Sequence, residues 1–213
     1  MKKLAICAAL ACAAATPAAI LVAQDAQVPG TADLSRVTAG TYSTDPSHTL
    51  VEWSVDHFGF NPYFGIFGDI EGTLILDPAD ISQAQVDIRV PIASVAVPSE
   101  GLRDHLLRPG KDGGDPDFFG AEPGMARFVS TEVTRLGATR ALIEGTLTMN
   151  GRSGPVVLVT ELSGAGANPM SEAATVGFVA ETVIDRSQWG IGYGIPMVSD
   201  EVALKISAAF EKQ

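Results

Sequence analysis

His48, His57 and His105 are the only histidines of the chain, and histidine is the side chain best suited to proton transfer or metal ligation near neutral pH. Their spacing gives no His-Glu-x-x-His helix motif and no close pair, and no cysteine stands near them. That pattern points to hydrogen-bonded structural histidines and away from a metal centre. Gly151-Arg152-Ser153-Gly154 lacks the Gly-x-Ser-x-Gly order and the strand-to-helix setting of a nucleophile elbow. Gly190-Ile191-Gly192-Tyr193-Gly194 is neither a phosphate loop nor a dinucleotide fingerprint, and reads as a rim loop between strands. Carboxylates are plentiful, but none is marked by its neighbours as half of an acid/base pair. The residues that do gather are rings. Phe58, Phe60, Tyr63, Phe64 and Phe67 crowd one stretch, Phe118, Phe119 and Phe128 another, and Phe178, Trp189, Tyr193 and Phe210 follow. Ring surface either fills a core or lines an apolar tunnel.

The elements that carry these rings alternate with period two. Val51, Trp53, Val55 and His57 share one face of an extended segment, with Glu52, Ser54 and Asp56 on the other. Val86, Ile88, Val90 and Ile92 repeat the pattern, as do Ile143, Gly145, Leu147 and Met149, and Val202, Leu204, Ile206 and Ala208. Turn signals divide the runs at Asp45-Pro46, Asp77-Pro78, Asn150-Gly151 and Gly164-Ala165-Gly166. Eight or nine strands are predicted, near 40–43, 49–58, 63–76, 84–94, 126–135, 140–150, 154–163, 174–186 and 200–211. Asn150-Gly151 predicts a hairpin. Residues 98–124 break the alternation: Ser99 can cap a short helix through Leu107, with Leu102, His105 and Leu106 on one side. A Pro/Gly/Asp-rich loop then leads to Asp117-Phe118-Phe119. One helical insertion in an antiparallel meander fits an all-β closed barrel of about eight strands with a lid better than a sandwich.

Composition supports a single exported domain. The chain has 213 residues, 46% hydrophobic and 18% charged, with a formal net charge of −11. Such apolar content excludes a disordered chain, and the acidic balance argues against nucleic acid and against anionic lipid surfaces. Met1-Lys2-Lys3, the apolar run Leu4 to Ala15 and the small residues Ala18 to Ala23 read as a signal peptide over 1–23. Its removal takes away Lys2, Lys3 and both cysteines, Cys7 and Cys12, leaving a more acidic domain that stands without disulfides. Residues 24–40 are polar and aperiodic, a flexible lead-in to a domain over 41–213. The expected location is the periplasm.

Several segments resemble the YceI-like family of polyisoprenoid-binding periplasmic proteins. Tyr42-Ser43-Thr44-Asp45-Pro46-Ser47-His48, running on through Trp53 to His57-Phe58, is similar to the family's opening pattern. Phe64-Gly65-Ile66-Phe67 with Glu71-Gly72-Thr73-Leu74 is similar to its next hairpin. Arg103-Asp104-His105-Leu106 and Asp117-Phe118-Phe119 resemble its helical insertion, and Ala126-Arg127-Phe128-Val129-Ser130 the strand after it. Leu147-Thr148-Met149-Asn150-Gly151, Ile184-Asp185-Arg186-Ser187-Gln188-Trp189-Gly190-Ile191 and Val198-Ser199-Asp200-Glu201-Val202 continue the likeness to the end of the domain. The Pro109–Pro116 link is longer than the family pattern. The resemblance implies a lipocalin-like antiparallel barrel with a long apolar pocket. It also implies binding of isoprenoid or other long-chain amphiphiles, with no known enzymatic activity.

The tunnel wall expected on this basis comprises Trp53, Val55, Phe58, Phe60, Phe64, Phe67, Val86, Ile88, Leu102 and Leu106. Phe118, Phe119, Phe128, Met149, Phe178 and Trp189 complete it. Arg103, His105 and Arg108, with Lys111 nearby, are basic residues beside the expected mouth and suited to a phosphate or carbonyl headgroup. No catalytic residue, metal or cofactor is expected. The ligand is a polyisoprenoid, quinone or prenyl phosphate, and the function is its transport or sequestration. Transient contact with a membrane or an envelope protein is compatible with this, as is either a monomer or a homodimer. Two alternatives stay open: an enzyme acting on an amphiphile through a histidine and a carboxylate, and an envelope stress protein acting through a protein partner.

Overall fold

Residues 28–213 are described by a computed structural model, so the signal peptide expected over 1–23 and the start of the lead-in lie outside the described residues. The alternating runs become ten strands: β1 (Gly40–Thr44), β2 (Leu50–His57), β3 (Asn61–Phe67), β4 (Glu71–Leu76), β5 (Gln85–Pro91), β6 (Met125–Arg135), β7 (Arg140–Met149), β8 (Arg152–Ala167), β9 (Ala174–Asp185) and β10 (Glu201–Lys212). A single α-helix among the described residues, α1 (Glu100–Leu107), sits in the insertion between β5 and β6. Ser99 caps it, its hydroxyl accepting from the Leu102 N–H.

Every strand pairing is antiparallel, and β1-β4-β5-β6-β7-β8-β9-β10 form a ring of eight that closes where β1 also pairs with β10. The β2–β3 hairpin continues along β10, through Leu50–Ser54 against Ala203–Ser207. Closure removes the open edges of the eight-stranded ring, while β3 keeps one edge, bridged there by Ile66 to Ala96. Asn150 and Gly151 have φ of 51° and 70°, the paired left-handed residues of a tight hairpin, and they join β7 to β8 as predicted.

Three local expectations are corrected. The run at 63–76 is two strands, because Asp69 takes a left-handed φ of 54° and the Gly68 N–H turns to the Ser94 hydroxyl. Gly164-Ala165-Gly166 is no turn: it lies inside β8, just after a bulge between Leu162 and Gly164. Its glycines serve close approach, since a Cβ on Gly166 would sit 2.4 Å from the Pro29 carbonyl oxygen. The lead-in is correspondingly packed from Thr31 onward: Thr31 bridges to Ala165, a 3₁₀ turn spans Leu34–Arg36, and Val37 is buried.

Buried residues form two clusters, one at each end of the barrel. Phe67, Ile92, Val95, Leu106, Met149 and Trp189 belong to the end covered by α1. Tyr42, Leu74, Leu76, Leu162, Val176 and Phe210 belong to the far end, where the β6–β7 hairpin turns. The space between them is the cavity.

Candidate functional site

The inward-facing positions of the barrel enclose a cavity of about 1020 Å³ that runs from α1 to the far end. Its wall is almost wholly apolar, as strand alternation requires when one face meets water and the other does not. Such a volume is at the top of the roughly 300–1,000 Å³ usual for small-molecule sites. Trp53 and Phe67 meet the cavity from β2 and β3, and Val86 and Ile88 from β5. Phe128, Met149 and Phe178 come from β6, β7 and β9. Gly65 faces Trp53 across the β2–β3 ladder, and a Cβ there would lie 2.6 Å from the indole, so glycine is what lets the large ring lie flat on the wall.

The end at α1 is roofed. Leu102, His105 and Leu106 look into the cavity from the helix, and Phe118 and Phe119 join them, the Phe119 N–H bonding back to the Leu106 carbonyl. Tyr193 reaches over from the 190–198 loop. Its ring lies 5.1 Å from that of His105 and 5.4 Å from that of Phe118, and His105 and Phe118 are 5.0 Å apart, all edge to face. Arg186 holds the loop in place. Buried to 5% exposure, its guanidinium donates to the carbonyls of Ile191, Tyr193, Val198 and Ser199 at 2.8–3.0 Å. Burial lowers its pKa, and the charge of Asp200 works against that shift.

Most expected tunnel residues do line the cavity: Trp53, Val55, Phe58, Phe67, Val86, Ile88, Leu102, Leu106, Phe118, Phe119, Phe128, Met149 and Phe178. Three do not. Phe60 is 87% exposed beside the β2–β3 turn, and Phe64 is 59% exposed on the outer face of β3. Phe64 and Phe67 are three residues apart in one strand and therefore face opposite ways, a signal already present in the sequence. Trp189 is fully enclosed in a 3₁₀ turn, donates to the Leu147 carbonyl and packs against Gly154, so it is core and not cavity wall.

The basic mouth is also different from expectation. Arg103 is exposed and does not line the cavity. His105 Nε2 lies 2.7 Å from Asp117 Oδ2, and Arg108 donates to the same oxygen at 2.6 Å. The Arg108 guanidinium, then His105, hold the Asp117 carboxyl below the ordinary carboxylate range. Arg108 and the His105 ring are thus taken up by the insertion's own carboxylate. His48 likewise pairs with Asp45 on the surface, and His57 sits edge-on to Phe58, with ring centroids 4.3 Å apart. Among the described residues no group of three or more His, Cys, Asp or Glu side chains is arranged to hold a metal.

Sequence reasoning missed Arg186, Arg135, Arg140 and Thr160 as cavity residues. Alternation carried part of the signal, because Thr160 shares parity with Val156, Leu158 and Leu162, and Arg135 with Val133. Trp53 Nε1 and Thr160 Oγ1 are the two buried side-chain polar atoms without a hydrogen-bond partner among the described residues, and both belong to the cavity wall.

The site is thus a closed eight-stranded antiparallel barrel with one helical cap around a long apolar interior. The chain belongs to the YceI-like domain family, whose pattern matches residues 42–210. A UPF0312 protein of Serratia proteamaculans is 32% identical over 172 residues, 79% of this chain and 85% of the relative. One of Pseudomonas fluorescens is 32% identical over 189 residues, 86% of this chain and 94% of the relative. Among solved structures, the YCEI protein of Campylobacter jejuni superposes with a TM-score of 0.58 at 26% identity, covering 70% of this chain and 84% of its own. Burkholderia cenocepacia BcnA gives 0.65 at 22% identity, covering 78% and 98%. A polyisoprenoid binding domain from Saccharophagus degradans, implicated in plant cell wall breakdown, gives 0.54 at 13% identity, covering 81% and 98%. At those identities the last two speak to fold alone.

Proposed function

We propose that this protein binds a polyisoprenoid or similar long-chain amphiphile inside its barrel and carries or sequesters it in the periplasm. The observation that carries the reading is the continuous apolar cavity, walled by inward residues of the barrel strands and of the insertion. Each buried methylene of a ligand gains about 0.8 kcal/mol, and the hydrophobic effect has no direction, so such a wall accepts chains of differing detail. The likeness to a solved polyisoprenoid binding domain supports the same reading. The export leader read from 1–23 supports the location. Binding without turnover is the activity proposed, since the His105–Asp117 pair is already shared with Arg108 and sits in the roof. Titration of the purified domain with an all-trans C20 prenyl alcohol, followed by tryptophan emission from Trp53, tests it. Saturable one-to-one binding is expected. Partitioning that tracks the probe's own aggregation, with no saturation, contradicts the reading.

A further inference from the structure

The two longest runs without Asp, Glu, Lys or Arg among the described residues are 57–68 and 187–199, and the fold brings them together. His57 bridges to Val198, the Phe58 N–H donates to the Met197 carbonyl at 2.8 Å, and the Ser199 N–H donates to the Asp56 carbonyl at 3.0 Å. The β2–β3 turn and the 190–198 loop thus form one platform at the α1 end of the barrel. The charges that flank it there are engaged. The Asp56 carboxylate accepts from the Gly59 N–H, Arg186 is held by four carbonyls, and Asp200 accepts from Ser187.

The platform joins the cavity to the exterior. Phe58, Tyr193 and Met197 line the cavity and are also half-exposed, so its apolar surface runs outward between the two loops. Phe60 and Ile195 extend that surface outside, Phe60 projecting almost fully into solvent beside the turn. The turn presents its rings against a conformational cost. Phe58 and Gly59 have φ of 59° and 69°, the left-handed pair of a tight hairpin. A bulky residue at the first position is strained, where the β7–β8 hairpin uses Asn150.

The kind of partner follows from size, edge chemistry and charge. Five exposed apolar side chains fall well short of the roughly 20–30 residues that a stable protein interface takes from each side. Strand addition is blocked on the open edge of β3, because Pro62 has no N–H to donate and Ile66 is already bonded both ways to Ala96. A bilayer requires neither a long edge nor shape complementarity, only apolar side chains that reach past the headgroups. We infer that this platform docks on a zwitterionic lipid bilayer, with Phe60, Ile195 and Met197 in the interfacial layer and the cavity mouth against the lipid. Runs without Lys or Arg, in a chain of net charge −11, gain nothing from anionic lipid. The use of this docking, exchange of a chain between bilayer and cavity, rests on the reading of the cavity as a lipid site; the docking itself does not.

The test is flotation of the purified full chain, as exported, with phosphatidylcholine vesicles. The wild type should float with them, with no gain from added phosphatidylglycerol and no loss at about 0.5 M salt. Phe60→Ser should lower the vesicle partition coefficient about tenfold with unchanged melting, and Phe60→Trp should retain it. Met170→Ser, which removes an equally exposed apolar side chain in the turn between β8 and β9, should have no effect. Phe60 does not line the cavity, so Phe60→Ser should bind the C20 prenyl alcohol in vesicle-free solution as the wild type does. Wild-type protein that stays in solution, or equal loss from Met170→Ser, overturns the inference. Flotation that requires phosphatidylglycerol and disappears at high salt overturns it in favour of a charge-driven contact. Dimers in solution that Phe60→Ser abolishes overturn it in favour of a second copy of the chain. Flotation retained while the prenyl alcohol fails to bind in solution upholds the docking and removes the lipid reading of the cavity.

Discussion

His105 and Asp117, twelve residues apart, close the insertion on itself through a 2.7 Å contact between Nε2 and Oδ2. Arg108 shares that oxygen, so one carboxylate ties the end of α1 to the segment that delivers Phe118 and Phe119 to the cavity. The charge arrangement lowers the Asp117 pKa, Arg108 first and His105 second.

A pH dependence follows. A carboxyl whose folded pKa is depressed contributes stability that is present above its unfolded value, near about 4, and is lost as pH falls through the folded value. Asp117→Asn should therefore melt below the wild type at pH 6–7 and converge with it as the pH drops below about 4. Thermal melts across that range check this. A gap that stays constant with pH would assign the loss to packing.

Arg186 should be among the least replaceable polar residues of the domain. Its guanidinium satisfies four loop carbonyls in fixed directions, and Asp200 is occupied with the Ser187 N–H and hydroxyl. Arg186→Ala should cost about 3 kcal/mol or more by orphaning those acceptors. Arg186→Lys should recover little, because an ammonium offers three donors and no planar fork. Urea denaturation measures both, and a fully stable Arg186→Lys would show that charge alone suffices.

Trp53 is a test of the inward face. Its ring lies across Gly65 within an apolar wall, so Trp53→Asp places an unpaired carboxylate there and should destabilise the fold by about 3 kcal/mol or more. Unchanged melting would mean that the position is freely hydrated.

Phe119 and Phe64 separate cavity from surface. Phe119 lines the cavity and meets Phe67 edge to face, 6.1 Å between centroids, whereas Phe64 is on the outer face of β3. Phe119→Ala should weaken binding of the C20 prenyl alcohol by about tenfold, equivalent to roughly 1.4 kcal/mol, and Phe64→Ala by less than twofold. A larger effect from Phe64 would relocate the site to the outer face of the hairpin.

The barrel was legible because its determinants are local. Period-two alternation assigned the inward face of β2, β5, β7 and β10, and Asn150-Gly151 marked its hairpin. Residues whose role depends on distant partners were not legible. Gly164 and Gly166 read as a turn because their partners, Gly30 and Pro29, are far away in sequence. Phe64 reads with its aromatic neighbours by proximity, although strand parity sends it outward. The basic residues around α1 looked available because nothing in the sequence tells that Asp117 folds back on His105 and Arg108. Arg186 lies in a segment that carries the family likeness but no marked chemistry of its own, and only the path of residues 191–199 brings four carbonyls to it.

The most direct measurement of the central claim is native mass spectrometry of the protein purified from a bacterial envelope without detergent, followed by solvent extraction and lipid identification. A cavity of about 1020 Å³ with so apolar a wall should retain one long-chain molecule per protein, released only on denaturation, with an isoprenoid repeat in its fragments. A spectrum showing only the bare chain, and no uptake of added prenyl lipids, would contradict the account.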